Sequence, residues 1–436
     1  MMSRVRPEQA DACLHIAWLT PMPSDDGGAT GVATDLLDGL CALGHRIDCF
    51  IAGEQSDVPP RLATHPNLTF VWAGSRWRWN RWYSRSGLSA FLSGLLARTW
   101  AFVRMRSEIV RRDRRDPYDL IYQFSNIETV GVPRRLLGRI PLVIHPETHI
   151  AGELRCFRHE RHLARVCEPW HRRLLVEAML IGRAVVQRRA IRSARLVLCI
   201  SNVFRDHLVA DYGVARERTR VIPNPVRLER FQAAARSTGD PPVILVLGRI
   251  SVRKGVEHIV ELSRVLAARG LNVKLRIVGA KTLWSDYRVL LGNLDRTTAE
   301  YAGPVASWQV PQELARSDVL VQASTYEPFG LTVAEALAAG VPVIATSEVG
   351  AAENVSPAVA HLVPVGAVEM LADAIERALG ALREDAHALR ALARSESERL
   401  FRAETVCEAI SDALTQLVGR RPAGCEASCV DLRVAA

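Results

Sequence analysis

The sequence predicts an α/β protein made of two doubly wound domains that face each other across a cleft. Three observations lead there. At 436 residues the chain exceeds one ordinary domain and suits two of about 200 residues each. Short, nearly continuous runs of Val, Ile and Leu alternate with longer amphipathic stretches, as parallel strands covered by helices on both faces require. This alternation begins twice, restarting near residue 242 after a segment that carries Pro223, Pro225, Pro241 and Pro242.

In chain order, the strand runs of the first half are LHIAWLT (14–20), RIDCFIA (46–52), LTFVWA (68–73), YDLIYQF (118–124), PLVIH (141–145) and RLVLCIS (195–201). Those of the second half are VILVLG (243–248), KLRIVG (274–279), DVLVQA (318–323) and VPVIA (341–345). Helices fall between them, among them 31–44 and 255–270, the latter closed by Gly270 as a C-terminal cap. The expected layout is an N-terminal Rossmann-like domain over 1–225, a C-terminal one over 226–400, a last helix over 401–418 and a tail over 419–436. In such folds ligands bind outside the carboxyl ends of the strands, here the cleft between the two sheets.

Composition narrows the class. A hydrophobic share of 48% and a charged share of 24% fit a soluble globular protein. MMSRVRPEQADAC lacks the apolar run of a signal peptide, and no stretch approaches the roughly 18 apolar residues of a spanning helix. Nine cysteines, an odd count without regular spacing, fit a reducing compartment, so the expected location is cytoplasmic. The net charge of +9 is concentrated: from Arg76 to Asp116 there are eleven arginines against Glu108, Asp113 and Asp116. A local anionic partner explains this better than nucleic acid does, and no nucleic-acid motif accompanies the charge.

The segment YEPFGLTVAEALAAGVPVIA (326–345) places Glu327 and Glu335 in a stretch otherwise nearly free of charge. Pro328 predicts a turn, and a helix follows from about Gly330 to Ala339, capped by Gly340. Glu327 then lies on the loop at the cleft and Glu335 about one and a half turns inside the helix, roughly 7–12 Å away at ~1.5 Å rise per residue. Between them the amides of Gly330, Leu331 and Thr332 point out of the helix N-terminus, a ready anion site. A pyrophosphate on those amides, with hydroxyl-rich groups on the flanking carboxylates, uses every part of the segment. An N-terminal-turn Glu complementing the dipole plus a surface Glu is the plain alternative. Arg249 and Lys254 in RISVRKG sit at the mouth of the same sheet, and a guanidinium with an ammonium there can clamp a diphosphate. In the first domain Gly27 and Gly28 of PSDDGGATG form a backbone-exposing loop opposite.

Taken together, EPFGLTVAEALAAGVPVIAT, GRISVRKG, GGATGVATDLLDGLCALGHRIDCF, LCISN and VIPNPV resemble the family 4 retaining glycosyltransferases of GT-B fold, over roughly residues 14 to 418. The resemblance implies a nucleotide-diphosphate sugar donor (a UDP- or GDP-sugar), net retention at the anomeric carbon, and neither cofactor nor metal. It implies that Glu335 holds the ribose hydroxyls, that Glu327 holds the donor sugar's ring hydroxyls, that Phe329 belongs with Gly330, Leu331 and Thr332 to the donor-binding turn, and that Arg249 and Lys254 bind the diphosphate. Gly27 and Gly28 would approach the donor from the other wall, and a helix around FRAETVCEAI would cross back to the first domain. The family also places a histidine at the end of a first-domain strand. His145 in PLVIHPETHIAGE matches by position, and His149 competes with it.

Two further stretches remain. Cys156, His159, His162 and Cys167 fall within CFRHERHLARVC, but on one helix His162 would turn away from the other three, which argues against zinc. SRWRWNRWYSR (75–85) interleaves Trp77, Trp79, Trp82 and Tyr83 with arginines, suiting an anionic membrane surface or a carbohydrate acceptor, or else an irregular loop before a core helix with a basic face. The expected activity is transfer of a sugar to an acceptor hydroxyl of a glycan, glycolipid or small-molecule glycoside. A nucleotide-sugar epimerase on the same fold, which would consume donor without an acceptor, and a non-catalytic sugar-nucleotide sensor are the rivals.

Overall fold

The computed structural model describes residues 13–25, 27–51, 58–73, 103–124, 134–167, 170–231, 241–282 and 286–420. The basic–aromatic stretch with Trp77, Trp79, Trp82 and Tyr83 lies outside them.

Two all-parallel sheets organise the chain. The first holds seven strands in the order β3-β2-β1-β4-β5-β6-β7: His15–Thr20 (β1), Arg46–Ile51 (β2), Leu68–Trp72 (β3), Leu120–Phe124 (β4), Leu142–His145 (β5), Leu196–Cys199 (β6) and Thr219–Val221 (β7). The second holds six in the order β10-β9-β8-β11-β12-β13: Val243–Leu247 (β8), Lys274–Val278 (β9), Ala299–Gly303 (β10), Val319–Gln322 (β11), Val343–Thr346 (β12) and Ala360–Val363 (β13). In each sheet the order reverses beside the first strand, at β1/β4 and β8/β11, which opens a crevice at the carboxyl ends there. The central strands are apolar because helices cover both their faces: Leu120–Phe124 and Val319–Gln322 are buried throughout.

Three strands were not expected from the sequence: β7 (TRV), β10 (AEYAG) and β13 (AHLV). All three are sheet edges. An edge strand is covered less completely, so it needs no continuous apolar run; β3, the remaining edge, keeps one in LTFVW and is legible for that reason. The first helix, Gly28–Ala42 (α1), begins three residues before the expected Gly31, because Gly27 and Gly28, at φ 82° and 63°, make the entry turn themselves. Residues 103–115 (α2) form a helix that buries Met105 and Ile109 and turns Arg104, Arg106 and Arg111 outward, the core helix with a basic face.

Between β5 and β6 the chain builds Ile150–His159 (α3), Arg161–Cys167 (α4) and Trp170–Ser193 (α5). CFRHERHLARVC is therefore two helices rather than one, and among the described residues no three His, Cys, Asp or Glu side chains gather as a metal site. Asn202–Tyr212 (α6) follows β6. In the second half Val256–Ala268 (α7) follows β8, Leu331–Ala338 (α8) follows β11, and Val368–Phe401 (α9) is broken at Asp385. Ala403–Val418 (α10) then returns to the first domain, where Val406, Ile410 and Leu414 share an apolar cluster with Leu36, Leu37 and Leu40 of α1. No described helix is long and apolar enough to cross a membrane.

Candidate active site

The second-domain wall of the cleft is assembled from two turns. One follows β8: a tight turn at Val252–Lys254 leads through Gly255 into α7. Gly255 has φ 73°, and a Cβ on it would lie 1.9 Å from the carbonyl oxygen of Ala323, so only glycine lets this turn reach the end of β11. The other turn follows β11 and carries Tyr326 and Glu327. The two are stitched together, since Thr325 N donates to Arg253 O at 3.0 Å and Arg253 Nη1 donates to Tyr326 O at 3.0 Å.

Glu327 stands where they meet. Lys254 Nζ lies 2.5 Å and Arg253 Nη1 3.1 Å from its Oε2. Burial pushes the carboxyl up, but the two cations more than offset it and hold Glu327 below the usual range. For Lys254 burial dominates and lowers the ammonium, helped by Arg253 and Arg249, while Glu327 pulls the other way. Arg249 itself is exposed. It lines, with Gly248, Ser251, Lys254 and Gln322, an open depression at the mouth of β8 and β11.

The next turn opens α8. Gly330 has φ 97°, and a Cβ there would meet Val349 Cγ1 at 2.9 Å. No side chain caps this helix, and no protein acceptor among the described residues takes the amides of Gly330, Leu331 or Thr332. Thr332 Oγ1 donates to Gln322 Oε1 at 3.1 Å. Glu335 lies one turn on, half-buried, and burial raises its carboxyl to about 7 against a partial pull from Arg230. Phe329 points elsewhere: its side chain is buried edge-on against Phe401 at 5.6 Å between ring centroids, so only its backbone is left to face a ligand.

On the first-domain wall, His145 ends β5 with no exposed surface, and burial lowers its imidazole to about 3. Its Nδ1 is 2.7 Å from the Tyr122 hydroxyl and its Nε2 3.5 Å from Glu147 Oε1. Glu147 Oε2 accepts from Asn224 Nδ2 at 2.7 Å, and burial raises the Glu147 carboxyl to about 8. His145 Nε2, Glu147 Oε1 and Asn224 Oδ1 are buried without a hydrogen-bond partner, three unsatisfied polar atoms on the first-domain side. Gly27 reaches towards the second domain, with Ser307 its nearest neighbour across the gap. Gly28 has open space where a Cβ would stand.

His149 belongs to a different group, the seam where the domains touch. It is fully buried, with Nδ1 3.0 Å from the Tyr326 hydroxyl and Nε2 3.0 Å from Asp211 Oδ2. Nearby, Ser201 caps α6 and donates to Pro328 O at 2.7 Å, and Glu353 accepts from Asn202 N at 2.7 Å and Val203 N at 3.0 Å. His207 Nε2 lies 2.9 Å from Glu348 Oε2. Sequence reasoning passed over Arg253, Glu147, Asn224 and Tyr326. Arg253 was legible, since it adjoins Lys254 in a turn closed by glycine. Glu147 and Asn224 lie 77 residues apart in the chain, and only the fold brings them together.

The comparisons agree with this architecture. The family model "Glycosyl transferase 4-like domain" matches residues 27–225, and "Glycosyl transferases group 1" matches 229–395. A D-inositol 3-phosphate glycosyltransferase of Saccharomonospora viridis is 27% identical over 90% of this chain and 90% of its own length. A mannosylfructose-phosphate synthase of Agrobacterium fabrum is 29% identical over 36% of this chain, and the match spans only 38% of that relative. Among solved structures, sucrose-phosphate synthase of Thermosynechococcus elongatus superposes with a TM-score of 0.66 at 20% identity, covering 93% of this chain and 99% of that one. HepE of Anabaena, solved with UDP-glucose, gives 0.62 at 21% identity, covering 92% and 100%. Two family models that between them account for most of the chain, on two facing parallel sheets, make this protein a member of the family 4-type GT-B glycosyltransferases.

Proposed function

We propose that this protein transfers a sugar from a nucleotide-diphosphate sugar to an acceptor hydroxyl, with retention at the anomeric carbon. The observation that carries the reading is the convergence of Lys254 and Arg253 on Glu327, beside the open amides of α8. As the bond from the anomeric carbon to the phosphate oxygen stretches, negative charge grows on the departing diphosphate. Lys254, Arg253 and Arg249 supply fixed positive charge where it develops, the kind of preorganised stabilisation that lowers a barrier most. The amides of Gly330, Leu331 and Thr332 add donors at the same end of the site.

Glu335 and Glu327 are the hydroxyl acceptors of the reading, for the ribose and the donor sugar respectively. His145 and the glycine loop at Gly27 and Gly28 close the first-domain side. Among the described residues no side chain stands out as a covalent nucleophile. The acceptor oxygen therefore attacks the face from which the diphosphate leaves, one carbon–oxygen bond forming as the other breaks. The acceptor's proton passes to the departing phosphate oxygen. HepE, a neighbour of the same fold, was solved with UDP-glucose, which favours a UDP-sugar as the first donor to try. Among the curated relatives, the names 2-deoxystreptamine glucosyltransferase and D-inositol 3-phosphate glycosyltransferase favour a small polyhydroxylated acceptor, and the name alpha-monoglucosyldiacylglycerol synthase keeps a glycolipid as the second class to test.

Mass-spectrometric screening of UDP- and GDP-sugars for binding and slow hydrolysis tests the proposal. The expected result is release of a nucleoside diphosphate from one donor, accelerated by a hydroxylated acceptor. Conversion of a donor to its epimer with no nucleotide released, or no binding of any donor, would overturn it.

A further inference from the structure

The helix α5 carries two apolar faces. Val176, Leu180 and Ile191 are buried in the protein's own core, the first two against Ile150 and Phe157 of α3. A second row, Trp170, Leu174, Ala178, Ile181 and Val185, looks outward. Trp170 is 75% exposed, Leu174 57%, Ile181 43% and Val185 45%. At about 100° per residue these five positions fall within an arc of about 80°, centred about 130° from the buried row. Glu177 and His171 flank the row, and Arg188 and Arg192 end it. Leu175, also exposed, lies about 60° outside it.

An uncharged seam this narrow is the shape that packs against another helix. A helix lying in a lipid surface needs a wider apolar face. Four of the five positions are also paired symmetrically about the middle of the row. Positions 170 and 185 are equally far from the point between residues 177 and 178, and so are 174 and 181. A second copy laid antiparallel about a two-fold axis there sets Trp170 against Val185, a large side chain against a small one. It sets Leu174 against Ile181, and brings the small Ala178 of each copy to the crossing point, beside Glu177, whose charge Arg158 and Arg161 already pair. Two such seams in contact cover on the order of 1,000 Å² in all, the threshold that a specific interface has to clear.

We propose that the outward row of α5 is a self-association surface on which a second copy of this chain docks antiparallel, forming a two-fold dimer. The inference stands on the row alone and does not depend on the reading of the active site. Sedimentation of the full chain over a wide concentration range tests it. Wild type is expected at twice the chain mass, with Leu174→Glu and Ile181→Glu each falling to the monomer mass. Leu174→Glu combined with Ile181→Lys is expected to restore the dimer, because only the antiparallel arrangement brings 174 of one copy against 181 of the other. Unchanged far-ultraviolet circular dichroism guards against misfolding, and Val185→Glu at the far end of the row reads the same mass should Leu174→Glu unfold. A wild type that stays monomeric throughout, or charge variants that remain dimeric, would overturn the proposal. So would a monomer that sediments with phosphatidylglycerol vesicles and loses this with Leu174→Glu, since lipid would then be the occupant.

Discussion

Two buried glutamates, one on each wall of the cleft, end in opposite states. Glu147 on the first-domain wall has a side chain 6% exposed, and Glu327 on the second-domain wall one 12% exposed. Similar depth would suggest similar chemistry. Yet burial lifts Glu147 to about 8, while Lys254 and Arg253 hold Glu327 below the normal carboxylate range. What differs is the company: Glu147 has an amide and a neutral imidazole, Glu327 two cations. Burial sets the cost of ionisation, and the neighbours decide whether it is met. The Glu147 cluster is therefore neutral and the Glu327 cluster charged and compensated, so of the two only the second offers counter-charge to an anionic leaving group.

The comparison breaks most readily at Glu147. Its folded-state value of about 8 exceeds the usual 4.5, so between those limits the folded chain holds a proton that the unfolded chain has lost. Stability contributed by this group is then present at acid pH and declines as pH rises through 8, by on the order of 4–5 kcal/mol in total. Glu147→Gln should remove that slope and be the more stable protein at pH 9, by urea unfolding at pH 5 and pH 9. Parallel curves for the two proteins would mean that Glu147 is ionised when folded, and the contrast between the walls would vanish.

On the other wall, Lys254→Met takes away half of the compensation around Glu327. Turnover at saturating donor should fall on the order of 10²–10³-fold, the usual cost of losing one preorganised contact to a developing anion. A variant that binds donor weakly but turns over normally would confine Lys254 to ground-state binding. The smallest effect belongs to Glu335, whose carboxyl stands at about 7 in the free protein. Glu335→Ala should weaken nucleoside diphosphate binding by roughly 1.5–3 kcal/mol. Because the carboxylate is the better hydroxyl acceptor, wild-type affinity should rise as pH passes upward through 7, with a proton released on binding. Titration calorimetry in buffers of different ionisation enthalpy reads that proton, and a variant with unchanged affinity would remove Glu335 from the ribose site.

The sequence made the central strands legible because each is sealed on both faces and must be apolar, as VILVLG and DVLVQA are. It hid β7, β10 and β13, which sit at edges where Thr219, Glu300 and His361 cost nothing. At the site, Glu327 and Lys254 stood out as charges in apolar or glycine-bounded surroundings, and the fold brings them within an ion pair. Phe329 looked like part of a binding loop, and its ring fills the core instead. Glu147 gave no signal. HPET reads as an ordinary strand-end loop until Asn224 and His145 close around its carboxyl. A motif reports residues that are near in the chain, whereas a buried carboxyl is set by residues near in space.

The return of α10 to the first domain has a consequence for biosynthesis. Cys407 sits so close over Gly39 that a Cβ there would lie 2.4 Å from its sulfur, and Arg420 reaches back to the Cys13 carbonyl at 2.6 Å. The first half of the chain to leave the ribosome thus lacks one layer of its own core until the second half has been made. At about 5–20 residues per second, the stretch from the end of the first sheet to Val418 takes roughly 10–40 s to synthesise. Through that interval the face of α1 around Asp35 and Gly39 lacks the cover that Cys407 and its neighbours on α10 supply. The domain that begins first is finished last, and a truncation anywhere before residue 403 should leave it with an open apolar face, however well the second sheet has formed.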